Sequence, residues 1–229
     1  MTTAMSEIED LKKKVRRLRQ KGAKEARKAW ADGFLTGVCG LLRPGDVAID
    51  CGANVGDVSA RLLASGADVI AFDPDPWAHA RLAERFAGNP AYTLHNSAVG
   101  CTEGEVTLMR AANFDGNEGN ASQKSTIVAG ARNLGEAGER VTVRQIDFVA
   151  FLRDLTKARG PVSLVKIDIE GAELDLLDAL HRADLLSGVR CMVVETHEHK
   201  FPDLRPRYEA LRALIAAHYA PGHINLDWI

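Results

Sequence analysis

From Val47 onward, short runs rich in β-branched residues alternate with segments in which apolar residues recur every three or four positions. This alternation is typical of a doubly wound α/β protein, because each parallel strand needs a crossover helix before the next strand. We therefore predict one mostly parallel sheet with helices on both faces. The predicted strands are Val47–Cys51, Asp68–Phe72, 91–95, 106–109, 141–145, 162–167, 191–195 and Ile224–Trp228. The predicted helices are Asp57–Ala64, 77–86, 148–155, 173–180 and 208–218.

The composition is that of an ordinary globular protein. Of 229 residues, 46% are hydrophobic and 26% are charged, which excludes disordered and collagen-like classes. No apolar run approaches the length of a membrane span, and the charged N-terminus lacks the apolar region of a signal peptide. The four cysteines are widely spaced, without the paired spacing of a zinc site or a disulfide framework. We expect a cytoplasmic protein without a membrane span.

The first thirty residues differ in charge from the rest of the chain. They carry ten Lys and Arg against four Asp and Glu, a net charge of +6, whereas the remainder carries 19 against 27, a net charge of -8. Ile8, Leu11, Val15 and Leu18 have helical spacing. We predict a basic amphipathic extension over residues 1–32 and one main domain over 33–229. We favour a solvated cap that packs its apolar stripe on the body or on a second subunit over a surface that attracts an anionic acceptor, such as a phosphorylated glycan or RNA.

The first strand leads into a glycine-containing turn and then a helix. Gly52 and Gly56 allow the backbone to approach a ligand closely, and the next helix begins beside that position. The turn lacks the third glycine of a dinucleotide fingerprint, and Asp50 places a carboxylate beside it. A cationic or ammonium-bearing ligand therefore fits better than a pyrophosphate. The second strand ends at Asp73, where a carboxylate accepts hydrogen bonds from ribose hydroxyls in similar folds; Asp75 lies nearby.

A further strand delivers several carboxylates at its C-terminal end. Asp168 and Glu170 follow it directly, so we expect both to face the same crevice as the first two strand tips. Glu173 opens the next helix, and there an acidic residue is favoured by the helix dipole, a role we prefer to catalysis for this residue.

Three motifs resemble the FkbM family of S-adenosylmethionine-dependent methyltransferases. They are DCGANVG at 50–56, AFDPDP at 71–76 and KIDIEGAE at 166–173. The resemblance spans roughly residues 46–195 and implies a seven-stranded Rossmann-like class I methyltransferase fold, with O-methylation of sugar or natural-product hydroxyls. A single strand, Ile224–Trp228, follows the last predicted helix, so the usual terminal antiparallel hairpin is in doubt and dimerisation could have to cover that edge.

The resemblance also implies where S-adenosylmethionine binds. Asp73 would hold the ribose, and Ser97 and Ala98 would border the adenine. The positions around the methionyl part would be Asp50, Gly52, Ala53, Asn54 and Gly56.

Methyl transfer to a hydroxyl benefits from a base that titrates near neutrality. His197, just beyond the strand at 191–195, is our first choice, and Asp168 or Glu170 is the alternative if burial raises its pKa. A metal-assisted variant, with Asp168, Glu195 and His197 as ligands, is open but not favoured. The loop 113–125 could fold over the acceptor.

We expect an O-methyltransferase that acts on a hydroxyl of a saccharide or small natural product. Two alternatives remain open, a nicotinamide-dependent oxidoreductase and an RNA-binding module that uses the basic helix. We expect nucleic acid not to be a partner, and association into a homo-oligomer through the N-terminal helix or the sheet edge remains open.

Overall fold

The computed structural model describes residues 2–111, 114, 118–122, 125–128, 138–220 and 222–228. The chain divides into two compact units, an N-terminal unit ending at Leu41 and a body from Leu42 to Trp228. The domain boundary predicted at residue 32 stays a prediction. None of the helices in the described ranges has the length and apolarity needed to span a bilayer.

The N-terminal unit is one long helix, α1 (Thr2–Leu41). The predicted N-terminal helix is thus present. Its apolar stripe, however, is exposed: Ile8, Leu11, Val15 and Leu18 keep between 46% and 60% of their surface accessible.

The body contains a six-stranded sheet in which every pair of strands is parallel. Its strands are β1 (Val47–Cys51), β2 (Asp68–Phe72), β3 (Tyr92–His95), β7 (Leu164–Ile167), β8 (Met192–Glu195) and β9 (Ile224–Trp228). Across the sheet they lie in the order β3-β2-β1-β7-β8-β9. The chain builds outward from β1 in one direction and from β7 in the other, which makes the junction of β1 and β7 the topological switch point where such sheets bind ligands.

Six further helices belong to the body. They are α2 (Asp57–Ala64), α3 (Pro76–Arg85), α4 (Glu118–Ala121), α5 (Phe148–Arg159), α6 (Glu173–Arg182) and α7 (Arg205–His218). Side-chain caps explain two of the starts: Asp75 accepts from the backbone N–H of Trp77 before α3, and Asp147 accepts from that of Ala150 before α5. The predicted doubly wound α/β class, a mostly parallel sheet with helices, is confirmed.

The prediction of one sheet through the whole body is wrong. Three strands form a separate sheet of order β4-β6-β5, with β4 (Ala98–Gly100), β5 (Gly104–Met109) and β6 (Arg140–Asp147). β5 and β6 pair antiparallel over six residues, and β4 pairs parallel with β6. Within this small sheet the central strand β6 pairs along both of its edges.

The core lies between the large sheet and the helices α5, α6 and α7. Its fully buried members include Ile49, Val165, Ile167, Phe148, Leu152, Leu176, Leu177, Val194 and Tyr208. β9 pairs parallel with β8 and forms the sheet edge in the described part of the chain. This packing fixes the tips of β1, β2, β7 and β8 side by side.

Candidate functional site

The turn after β1 is shaped by contacts within the protein. Gly52 has φ +78°, and a Cβ atom on it would overlap the backbone carbonyl oxygen of Asp168 at the tip of β7. Gly56 has φ +85°, and a Cβ atom there would collide with Leu82 and Phe86, which pack against it. Only glycine therefore allows the tips of β1 and β7 to approach this closely.

Asp50 lies beneath this turn in a buried ion pair. It has no exposed surface, accepts a 2.7 Å hydrogen bond from Ser59 Oγ, and places Oδ1 3.2 Å from Lys166 Nζ. Lys166 also donates to the carbonyl oxygen of Gly52 at 2.7 Å. Burial by itself would lower the pKa of Lys166, but Asp50 and Asp168 raise it above its ordinary value, so the lysine stays charged. The structure therefore gives Asp50 a lysine partner at the position where a contact with the ligand was predicted.

Asp73 ends β2 and is buried. Its Oδ2 accepts from the backbone N–H of Asn54 at 2.7 Å, and its Oδ1 accepts from that of Asp75 at 2.9 Å. Burial raises the pKa of Asp73 to about 7, although these two hydrogen bonds act in the opposite direction. Each carboxylate oxygen keeps a second lone pair, so Asp73 can still accept from a ligand hydroxyl.

Ser97 and Ala98 follow β3, the strand that pairs with β2. The backbone N–H of Asp73 donates to the carbonyl oxygen of His95, two residues before Ser97. Both Ser97 and Ala98 are buried, and Ser97 Oγ has no hydrogen-bond partner among the described residues. Such an orphaned buried hydroxyl is costly unless a ligand or water satisfies it.

Asp75 has a structural role. Besides capping α3, it accepts two hydrogen bonds from Arg110, at 2.6 and 3.0 Å. The Arg110 guanidinium stacks over the ring of Phe114 at 4.2 Å, and Trp77 meets that ring edge-on. Asp75 thus fixes the start of α3 beside Asp73, and its carboxylate is engaged within the protein.

A second group of polar side chains surrounds His197, which is almost fully buried. Its Nδ1 lies 3.2 Å from Glu173 Oε1. Its Nε2 lies 3.4 Å from Glu170 Oε2 and 3.7 Å from a carboxylate oxygen of each of Asp168 and Glu195. The structure brings Asp168, Glu170 and His197 together, and Glu195, which the sequence suggested only as a metal ligand, lies with them.

Glu173 anchors this group. It has no exposed surface, and its carboxylate accepts hydrogen bonds from the His197 backbone N–H at 2.9 Å, from Tyr208 Oη at 2.8 Å and from the Gly171 backbone N–H at 2.7 Å. Burial by itself would raise the pKa of Glu173, but the hydrogen bond from His197 and the imidazole charge lower it overall. Glu173 is therefore an ionised residue that orients His197, in addition to opening α6 as predicted.

The pKa values of the cluster separate His197 from Glu195. Burial by itself would lower the pKa of His197, but the hydrogen bond to Glu173 and the surrounding carboxylates raise it to about 9. Burial and the charge of Asp168 raise the pKa of Glu195 to about 7. His197 is thus protonated on both nitrogens at neutral pH, whereas Glu195 titrates there. The sequence feature that could have indicated Glu195 as a candidate base is its position as the last residue of the strand beside the Asp168 strand.

Metal binding at this cluster would compete with cations that the chain already supplies. The possible ligand atoms of Asp168, Glu170 and His197 all lie within 4.8 Å of one another, a spacing that a divalent ion could bridge. Lys200 is, however, paired with Glu170, and Lys166 lies 3.5 Å from Asp168 Oδ2. These contacts give two of the three groups a positive partner.

The loop 113–125 falls partly outside the described residues, Asn117 and Lys124 among them. Its described part contacts the first half of the site, because Ser122 Oγ donates to Asn54 Oδ1 at 3.2 Å. Just beyond it, Thr126 Oγ1 donates to the carbonyl oxygen of Glu170 at 2.5 Å. This segment therefore reaches both halves of the site, and its closure over an acceptor stays a prediction.

Comparison with known proteins places this geometry in a family. The Methyltransferase FkbM domain matches residues 50–219. The 31-O-demethyl-FK506 methyltransferase FkbM of Streptomyces tacrolimicus is 29% identical over 182 residues, which are 69% of this chain and 67% of that protein. None of the solved structures matches the chain. The matched region begins at Asp50 and includes both groups of site residues, and the chain belongs to the FkbM methyltransferase family.

Proposed function

We propose that this chain is an S-adenosylmethionine-dependent O-methyltransferase that acts on a hydroxyl of a saccharide or small natural product. The observation that carries the proposal is the pairing of two sites at strand tips on one edge of the large sheet, a nucleoside-type site at Asp73 and Ser97 and an acid-rich site at Glu195. The family supports the methyl transfer, and the relative is named for acting on a natural product, 31-O-demethyl-FK506.

The residues of the first half fit an adenosyl cofactor. Asp73 offers free lone pairs to two ribose hydroxyls, and Ser97 Oγ is a buried hydroxyl that needs a partner. Ala98 would lie against the adenine, and the turn residues Gly52, Ala53, Asn54 and Gly56 would surround the methionyl part. Asp50 supports that turn through Lys166. Bound S-adenosylmethionine would supply an electrophilic methyl group on its sulfonium.

The neutralisation of Asp50 suits this chemistry. Methyl transfer from a sulfonium removes positive charge as it proceeds, so an unpaired carboxylate against the sulfur would stabilise the starting state more than the transition state. Because Lys166 neutralises Asp50 below the turn, that carboxylate adds no net negative charge there. Rate enhancement then comes from the alignment of the acceptor oxygen with the methyl carbon.

Glu195 is the base in this proposal, in place of His197. A proton acceptor must be unprotonated near neutral pH, and the pKa of about 9 leaves His197 already protonated. Glu195, with a pKa of about 7 and a side chain 29% exposed, is accessible to an acceptor and takes the hydroxyl proton on its carboxylate as the oxygen–carbon bond forms. His197, oriented by Glu173, holds the carboxylates around it in place.

The cofactor assignment is tested by calorimetric titration with S-adenosylhomocysteine and, separately, with a nicotinamide dinucleotide. Asp73→Ala should weaken binding of S-adenosylhomocysteine by about 1 to 3 kcal/mol through lost charged hydrogen bonds. Binding of the dinucleotide in preference to S-adenosylhomocysteine would overturn the function, and an unchanged affinity in the variant would overturn the role of Asp73.

The base is tested with methyl-labelled S-adenosylmethionine and a panel of hydroxylated saccharides and natural products. With an acceptor that turns over, Glu195→Gln should lower kcat by about a hundredfold or more and leave the affinity for S-adenosylhomocysteine unchanged. Glu198→Gln is the matched control, because Glu198 pairs with Arg212 instead of His197. Equal kcat values for the two variants would exclude Glu195.

A further inference from the structure

The N-terminal helix carries a segment with an unusual charge pattern. Residues 11–24 contain eight Lys and Arg and no Asp or Glu. All of them lie on α1, so their side chains project from one continuous helix. We call residues 8–24 the basic segment; it includes the exposed apolar stripe of Ile8, Leu11, Val15 and Leu18.

The stripe is narrow and bordered by cations on both sides. At about 100° per residue, Lys12 and Arg19 follow the stripe on one side of the helix. Lys14 and Lys21 follow it on the other. The aliphatic parts of such Lys and Arg side chains can lie along an apolar surface, while their charged ends point away from it.

This arrangement disfavours pairing of the stripe with a second copy of itself. In a two-helix pair the residues that border the apolar seam face each other, and here both borders are positive. Like charges at these positions repel. Beyond Leu18 the stripe ends, because Gly22 and Glu25 occupy the next positions in register.

Binding of RNA would leave the stripe unexplained, since phosphate contacts need cations and no row of aliphatic side chains. A helix with an aliphatic face and a cationic remainder instead fits an anionic lipid surface. There the apolar side chains enter the boundary between headgroups and acyl chains while the cations meet lipid phosphates.

We propose that the basic segment attaches this chain peripherally to anionic phospholipid membranes, with the apolar stripe facing the bilayer. The inference is independent of the methyl-transfer chemistry, because it uses residues outside the body.

The test is cosedimentation of the full chain with vesicles. We expect binding to vesicles of equimolar phosphatidylcholine and phosphatidylglycerol, little binding to phosphatidylcholine alone, and a loss of binding as the salt concentration rises. Absence of binding to the anionic vesicles at low salt would overturn the proposal.

Two variants separate the contributions of charge and apolar surface. Lys12→Gln, Lys14→Gln and Lys21→Gln together should weaken vesicle binding by about a hundredfold. Leu11→Gln with Leu18→Gln keeps the charge and should weaken it as well. The matched control replaces a positively charged residue of the body with glutamine and leaves the basic segment unchanged. Circular dichroism and the midpoint of thermal unfolding report whether each variant keeps its helix and fold.

Two outcomes would assign the surface to another partner. If the glutamine variant at the two leucines binds vesicles as the unmodified chain does, while a single-stranded RNA oligonucleotide binds in a salt-dependent way, the surface binds polyanions and the proposal is wrong. If light scattering shows a dimer that the same variant abolishes, with no vesicle binding, the stripe is a subunit interface and the proposal is equally wrong.

Discussion

The buried ion pair beneath the β1 turn gives the sharpest test of the structure. Lys166→Met removes a cation whose side chain is 4% exposed and leaves Asp50, with no exposed surface, facing the space where the ammonium group was. Asp50 then keeps one hydrogen bond, from Ser59, and the carbonyl oxygen of Gly52 loses its donor. A methionine fills a similar volume, so the change is mainly electrostatic.

The expected cost follows from this burial. Removing one partner of a buried ion pair typically costs about 3 to 5 kcal/mol, because the remaining charge has lost its water and its counterion. A domain of this size is stable by about 5 to 15 kcal/mol, so the variant loses a large part of its stability. The double variant Lys166→Met with Asp50→Asn should regain part of the loss, because it leaves no unpaired charge.

Urea unfolding followed by circular dichroism measures this cost. Arg159→Met is the matched control: Arg159 pairs with Asp68 at 2.7 Å, but the two side chains are 50% and 43% exposed. Such exposed pairs contribute about 0 to 1 kcal/mol. A Lys166→Met variant no less stable than the Arg159→Met control would refute the reasoning.

Three further predictions concern single positions. Affinity for S-adenosylhomocysteine, measured by calorimetry, should fall by about tenfold when the pH drops from one unit above 7 to one unit below it. The reason is that the pKa of Asp73 is about 7 and that, in the proposed function, its ionised form accepts hydrogen bonds from ribose. The affinity of Asp73→Asn should not change with pH in this way. Gly52→Ala should lower the free energy of unfolding of the body, measured with urea, by more than about 2 kcal/mol. Gly88→Ala, also at positive φ but with open space around the glycine, should lower it by clearly less. Equal losses would mean that the chain relieves the overlap of the added Cβ atom at position 52. Glu173→Gln should lower the pKa of His197 from about 9, because the charge that favours the imidazolium is gone; an unchanged NMR titration of the ring would contradict this.

The local parts of the site could be predicted from the sequence. Strand tips of a parallel sheet meet at one edge, so acids placed directly after hydrophobic runs, such as Asp73 and Asp168, had to lie near one another. The bounds of β1 and β2 also follow from their apolar runs and flanking turn residues. β4 was missed because three residues, Ala98–Gly100, are too few to show a period.

The long-range parts could not be predicted in this way. Lys166 and Asp50 are far apart in the chain, as are Tyr208 and Glu173, and no local pattern connects them. The protonation of His197 depends on carboxylates from separate elements at distances of 3.2 to 3.7 Å. Local sequence patterns therefore do not identify the base, and the proposal of Glu195 in place of His197 rests on these surroundings.

The order of the strands divides the site between two stretches of chain. Everything assigned to the nucleoside comes from residues 50–98, whereas the acids and the histidine come from residues 168–197. The two stretches meet at the junction of β1 and β7, on either side of which the chain adds its strands in opposite directions. Under the proposed function, substitutions in the later stretch would change the acceptor, while the earlier stretch would keep the same methyl donor.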